Sequence, residues 1–288
     1  MIIKKLTLNS TSFPEVLRHI PSPPRQLYVA GVPLRELLKR PRVAIVGTRK
    51  ITPYGKQVTL RLAGELASRG IVIISGLALG VDATAHQAAL EAGGQAIAVL
   101  PSPLEKIVPA TNRPLARQIL DQGGALVSEY GSYDITYKQN FIARNRLVSG
   151  LADALLIPEA AEKSGSLHTA RFALEQGKEV LAVPGNITVP SSVGTNNLLK
   201  RGHAAPVTSY QDVLHALDIS DIRMEAPRIR GRNGQEQTLI DLLYDGVSDG
   251  FQLLEQSKLS VSELDRILTM LEVTGKIRSL GANHWVIS

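Results

Sequence analysis

Six short apolar runs constrain this chain more than any other feature. They are Arg42-Val43-Ala44-Ile45-Val46-Gly47, Ile71-Val72-Ile73-Ile74-Ser75-Gly76, Ala96-Ile97-Ala98-Val99-Leu100, Ala125-Leu126-Val127-Ser128-Glu129, Ala154-Leu155-Leu156-Ile157 and Glu179-Val180-Leu181-Ala182-Val183. Helical patterns separate them, over residues 56–69, 83–92, 115–121, 146–151 and 166–176, and a further helix begins over 196–201. In the first of these, Val58, Leu62 and Leu66 stand at helical spacing and Gly70 stops the helix. Runs without polar alternation belong to strands buried on both faces. Strands that alternate with helices at this spacing build βαβ units. The predicted fold class is α/β, a Rossmann-like doubly wound, mostly parallel sheet. Aromatics supply only 4% of the residues against 44% hydrophobic, so the core must be aliphatic, which suits such a sheet.

The two ends read differently. Residues 1–40 carry Pro14, Pro21, Pro23, Pro24 and Pro33 and predict an irregular lead-in with one short edge strand at 26–30. Residues 219–234 lack periodicity and read as a linker. Beyond it, helices are expected over 237–244, 250–256 and 262–273, the last opened by a Ser262/Asp265 capping box. A hairpin over 276–287 completes a small C-terminal winged-helix domain. The predicted plan is a lead-in (1–40), the sheet domain (41–218), the linker (219–234) and the winged helix (235–288).

Composition removes several classes of chemistry. No cysteine is present, which excludes disulfides, thiolate zinc sites, iron–sulfur clusters and a cysteine nucleophile. His86, His168 and His203 lack metal-ligand spacing, so no metal site is expected. No stretch approaches the roughly 20 apolar residues of a membrane helix. Met1-Ile2-Ile3-Lys4-Lys5 lacks the apolar core of a signal peptide, and a cytoplasmic protein is expected. The formal charge of +6 is unevenly shared: residues 231–288 hold 5 Lys/Arg and 8 Asp/Glu, leaving residues 1–230 at +9. An anionic partner belongs to the first part.

Candidate chemistry collects at strand ends. Gly47-Thr48-Arg49-Lys50 follows the first strand and precedes a helix, an arrangement that suits phosphate through backbone donors, a helix N-terminus and a guanidinium fork. Ser75-Gly76-Leu77-Ala78-Leu79-Gly80-Val81-Asp82 enters the next helix, and the two turns predict one crevice. Neither turn spells a dinucleotide fingerprint or a P-loop, and no cofactor is expected. The loop Tyr137-Lys138-Gln139-Asn140-Phe141-Ile142-Ala143-Arg144-Asn145-Arg146 interleaves basic and aromatic residues, as single-strand binders do. A bland alternative packs Phe141 in the core and pairs the arginines with Glu129 or Glu159. Ser164-Gly165-Ser166 is expected to cap a helix and offers an anion donor set. Asp82 and His86 form an i, i+4 pair read as a helix-start contact.

In order along the chain, Phe13-Pro14-Glu15-Val16-Leu17, Val43 to Arg49, Thr52-Pro53-Tyr54-Gly55, Ser75 to Asp82, Gly124 to Tyr130, Phe141 to Arg146, Ser164-Gly165-Ser166, Ala182-Val183-Pro184-Gly185 and Gly194-Thr195-Asn196 closely resemble the DNA-processing protein A (DprA/Smf) family. The resemblance spans about residues 13–217. It implies a non-enzymatic protein of natural transformation that binds single-stranded DNA, protects incoming strands, helps to load the recombinase RecA and forms homodimers. It implies a phosphate pocket on Gly47, Thr48 and Arg49 and DNA-contacting positions on Lys138 and Phe141; together with Lys50, Gly76, Arg144, Asn145, Arg146, Ser164, Gly165 and Ser166 of the turns and basic stretch above, these make the expected DNA-binding set. It also implies that the family's helical SAM-like N-terminal domain is lacking, since twelve residues precede Phe13. Pro101-Ser102-Pro103 stands where the family has Gly-x-Gly, and Ile142 where it has proline.

Two other readings remain. A nucleotide or N-glycosidic-bond hydrolase could use the same crevice with Glu159 as general base, although the Pro-Gly-Gly-x-Gly-Thr-x-x-Glu loop of such enzymes is replaced by Pro158-Glu159-Ala160-Ala161-Glu162-Lys163-Ser164-Gly165-Ser166. The winged helix could serve as a protein-interaction or duplex-binding module, although its acidic balance argues against duplex.

Overall fold

A computed structural model describes residues 2–219, 231, 233–281 and 283–287. The chain divides into two compact units, Met1–Pro227 and Arg228–Ser288.

The first unit is built on a nine-stranded sheet of the described residues. Its elements in chain order are β1 (Ile3–Thr7), β2 (Gln26–Gly31), α1 (Leu34–Leu37), β3 (Arg42–Ile45), α2 (Pro53–Ala67), β4 (Val72–Ser75), α3 (Val81–Glu91), β5 (Ala96–Leu100), α4 (Arg113–Asp121), β6 (Ala125–Ser128), α5 (Lys138–Leu151), β7 (Ala154–Ile157), α6 (Ser166–Glu175), β8 (Glu179–Ala182), α7 (Val193–Lys200), β9 (Ala205–Pro206) and α8 (Tyr210–Ala216). The strand order is β1-β2-β6-β5-β4-β3-β7-β8-β9. From β6 through β9 all neighbours are parallel, which is the predicted fold class.

Both faces are covered, which explains the continuous apolar runs. Ala44, Val72, Ile74, Ile97, Val99, Val127 and Leu155 meet Leu147, Val148 and Leu151 of α5 and Ala170 and Ala173 of α6. The alternate residues Val43, Ile45, Ile73 and Leu156 meet Leu62 and Leu66 of α2, Ala85 and Ala89 of α3 and Val213 of α8. Period-2 side-chain alternation thus feeds two separate aliphatic cores from one set of strands.

Three expectations change here. Residues 26–31 do not form an edge strand: β2 pairs with β6 on one side and with β1 on the other, both antiparallel. The true edge is β1, where the adjacent exposed Lys4 and Lys5 hid the alternation and also protect the edge from further pairing. The basic loop is not a loop up to Arg146, because α5 starts at Lys138. Two core-facing positions of its first half are the polar Asn140 and Arg144, 5% and 4% exposed, so hydrophobic periodicity could not reveal the helix.

The second unit has α9 (Gly234–Tyr244), α10 (Gly250–Ser257), α11 (Val261–Val273) and an antiparallel hairpin of β10 (Ile277–Gly281) with β11 (His284–Ile287). Leu239, Ile240, Leu253, Leu264, Ile267, Leu268 and Leu271 form its core. The third expectation falls on α11. It starts earlier than expected, so the capping box is Ser260 with Glu263 instead of Ser262 with Asp265. The Ser260 hydroxyl accepts from the Glu263 N–H, and Glu263 accepts from the Ser260 N–H, satisfying two otherwise orphan donors. The expected linker lies almost wholly outside the described residues.

Candidate nucleic-acid interface

The chain runs from β3 outward through β4, β5 and β6, then returns to place β7 on the other side of β3. Such a reversal opens a crevice beyond the carboxyl ends of the strands. Here it is a cavity of about 610 Å³ lined by the turns after β3, β4 and β7 and by one flank of α5.

The two turns after β3 and β4 touch. Gly80 adopts φ +80°, and a side chain there would collide with the Thr48 carbonyl and Arg49. The Val81 N–H donates to the Thr48 carbonyl at 3.1 Å. Gly47 serves packing: a Cβ would sit 2.6 Å from the Glu159 carbonyl and from Val81. Thr48 donates its own N–H to that carbonyl at 2.9 Å, so this amide is committed inside the fold and is not an anion donor.

Buried polar groups hold the floor. Asp82, in the first turn of α3, accepts from the N–H groups of Gly76 and Ala78 at 3.0 and 3.4 Å. This holds a tight turn in which Leu77 is left-handed at φ 54°. Arg144 is buried, donates to the Gly76 carbonyl at 2.5 Å and also bonds the Val99 carbonyl. A Cβ at position 76 would meet its guanidinium, so glycine makes room for the arginine. Burial raises the Asp82 pKa against the pull of Arg144, and burial lowers the Arg144 pKa to about 10. His86 does not pair with Asp82 as expected. Its imidazole is fully buried without a hydrogen-bond partner of good geometry, and burial lowers its pKa to about 3 against the pull of the Ser75 backbone.

The rim carries the exposed side chains. Arg49 is exposed and lies over the Phe141 ring at 5.4 Å, a cation–π contact between the first turn and α5. Lys50 and Lys163 complete the cavity's basic side chains, with Arg49 and Arg144, against the single acid Asp82. The turn before α6 differs from expectation. Its N-cap is Gly165, which has no side chain to cap with; the Ser164 hydroxyl accepts from the Ser166 N–H at 3.4 Å and also bonds the Ser166 hydroxyl at 2.8 Å. Nothing lies within 4 Å of a Cβ at Gly165, so backbone is open to the cavity there.

Of the thirteen residues singled out from the sequence, Gly47, Thr48, Arg49, Lys50, Gly76, Phe141, Arg144, Asn145, Ser164, Gly165 and Ser166 line this one cavity. Lys138 and Arg146 do not. Lys138 is exposed at the start of α5, on its outer crest. Arg146 is tied by its guanidinium to both Glu129 oxygens at 2.7 and 2.8 Å, the pairing that the bland alternative named. Sequence reasoning passed over Lys163 and Asp82 as cavity residues. A lysine just before a strand-end Ser-Gly-Ser turn, and an acid in the first turn of a helix, were the available signals.

Glu159 is occupied elsewhere. It is 2% exposed, and its carboxylate accepts from the Thr52 N–H, the Thr52 hydroxyl and the Ser191 hydroxyl at 2.9, 2.7 and 2.8 Å. Thr52 in turn caps α2 by accepting from the Gly55 N–H. The carboxylate therefore clamps a helix start and does not line the cavity. Among the described residues no cluster of three metal-ligating side chains occurs, and no helix is long and apolar enough to cross a membrane.

Residues 4–218 match the family model described as DNA recombination-mediator protein A. Protein Smf of Escherichia coli is 37% identical over 84% of this chain and 67% of its own length. The structure of DNA processing protein A (DprA) from Streptococcus pneumoniae is similar at 37% identity with a TM-score of 0.69, covering 74% of each chain. That of DNA processing protein A from Helicobacter pylori, solved for its single-stranded DNA binding mode, is 39% identical with a TM-score of 0.66, covering 75% of this chain and 98% of that one.

Proposed function

Because the chain belongs to the DNA recombination-mediator protein A family, we propose that it is a single-stranded DNA-binding protein whose interface is the crevice at the ends of β3, β4 and β7. The observation that carries this reading is the convergence of four basic side chains on one cavity whose wall is Arg49 laid over Phe141. Arg49 and Lys138 hold phosphates, Phe141 stacks or wedges a base, and the exposed backbone at Gly165 adds a donor at the N-terminus of α6. Arg144 and Arg146 act from within, the first as the buried floor and the second as a brace to Glu129. Lys50, Asn145 and the paired serines shape the rim.

In this reading the protein protects incoming strands during natural transformation and hands them to RecA as a homodimer, without catalysis of its own. The role of Glu159 as a helix clamp supports binding over hydrolysis, because a general base must present a carboxylate to the cavity. Sequence preference is weak and affinity falls with salt, since phosphate contacts dominate such sites.

The test is anisotropy of a labelled single-stranded oligothymidylate against wild type and the Arg49→Ala/Lys138→Ala variant. The expected loss is tenfold or more, and the slope of log affinity on log salt shrinks by about two. Unchanged affinity in the double variant overturns the assignment.

A further inference from the structure

α5 has a second flank. Phe141, Arg144, Asn145 and Val148 line the crevice; at about 100° per residue Ala143 and Arg146 lie on the other flank, with buried Asn140 between the two and Tyr137 just ahead of the helix. There they border a separate, open cavity of about 920 Å³, closed by residues 22–26 and by the loop that joins β6 to α5.

That loop carries three of the chain's seven tyrosines, Tyr130, Tyr133 and Tyr137, all on the cavity. Tyr133 is 99% exposed and Tyr137 54%. The loop is held open by its own bonds: Gly131 N–H to Asp134 Oδ2 at 2.7 Å, Asp134 N–H to the Gly131 carbonyl at 2.9 Å, and Ser132 Oγ to Glu105 Oε1 at 2.6 Å. Gly131 lets it lie against Tyr28, because a Cβ would sit 2.7 Å from the Tyr28 hydroxyl. Tyr133 therefore stands at the tip of a pinned turn. The charges of this cavity balance, Arg25 and Arg146 against Glu129 and Asp134, and Arg146 is committed to Glu129. Aromatic faces without surplus charge suit bases and not phosphates.

We propose that this tyrosine cavity is a second subsite for the same strand, taking unpaired bases by stacking on Tyr133 and Tyr137. The inference rests on the proposed single-strand function. Proximity to the first site selects the occupant: α5 lends residues to both cavities, and exposed Lys138 at its first position supplies a cation for the backbone in passing. A helix with its side chains is about 10 Å across. At ~3.4 Å per stacked nucleotide the strand crosses it in about three steps. The tyrosine subsite is thus reached only by strands longer than the crevice itself needs.

The experiment compares single-stranded oligothymidylates of about 4 and about 16 nucleotides, the range of single-strand site sizes, on wild type, Tyr133→Ala/Tyr137→Ala, Tyr133→Phe/Tyr137→Phe and Arg49→Ala. Both tyrosines are exposed, and sedimentation of each variant reports folding and self-association. The alanine pair lowers affinity for the long strand about tenfold and leaves the short strand within twofold, while the phenylalanine pair behaves as wild type. Arg49→Ala weakens both lengths. Unchanged affinity of the alanine pair for the long strand overturns the subsite, as does an equal loss for both lengths or a change confined to self-association. Absence of binding by wild type at either length instead overturns the single-strand function itself.

Discussion

Both units present helices whose first turns follow short loops, yet they present opposite charge. The sheet unit directs Arg49, Lys50, Arg144 and Lys163 into a cavity at the point where strand order reverses. The winged unit exposes Asp265, Glu272 and Arg266 on α11, with half-buried Glu263 capping it, in a stretch of the chain that is net negative. A winged helix that reads duplex lays its third helix in the major groove, against two rows of phosphates. The contrast teaches that fold alone does not select an anionic partner; the sign and convergence of charge bear on it. It also separates two kinds of arginine around α5. Arg144 and Arg146 are consumed by the fold, while Arg49, across from them, stays exposed on an aromatic ring.

The strongest way to break this division is Arg144→Met. If Arg144 is a buried brace, its loss strands Asp82 without a cation and two carbonyls without a donor. Such a removal costs about 3–5 kcal/mol. Melting is then expected to drop by roughly 10 °C, read by calorimetry. A variant that keeps its stability and loses only DNA binding would reassign Arg144 to the rim.

Reversing the charge of α11 sharpens the comparison between units. Glu263→Lys, Asp265→Lys and Glu272→Lys together should raise affinity for a random duplex about tenfold at low salt and leave single-strand affinity within twofold, by competition anisotropy. No gain in duplex affinity would show that shape, not charge, silences the winged unit.

The smallest effect is a dependence on pH. His86 is held neutral, with a folded pKa of about 3 against about 6.5 unfolded. Between those values the unfolded chain binds the extra proton, so stability falls as pH drops from about 6.5 towards 3. Asp82, raised by burial, acts in the opposite sense, so the difference between wild type and His86→Leu isolates the histidine. The variant should lose a few degrees less of its melting temperature than wild type between pH 7 and pH 5. Parallel melting curves would contradict a buried neutral imidazole.

Much of this was legible in the sequence because parallel strands buried on both faces leave uninterrupted apolar runs, and glycines at their ends announce turns that meet. What escaped did so for physical reasons. β1 hid behind Lys4 and Lys5, which protect an edge and erase its period. The first half of α5 hid behind Asn140 and Arg144, polar groups at buried positions, the second because the Gly76 and Val99 carbonyls take its guanidinium as donor. The same feature made four basic residues look equivalent in sequence. Three dimensions divide them into Arg49 and Lys138, open to solvent, and Arg144 and Arg146, already partnered. Lys163 lay in a segment read as a cap, and the cap itself proved to be glycine.

The most direct measurement is binding of wild type to a labelled single strand at two salt concentrations, with unlabelled duplex of matched length as competitor. The account predicts tight binding at low salt, a steep loss at high salt and displacement by duplex only in large excess. Equal competition by duplex, or binding that salt leaves unchanged, would contradict it.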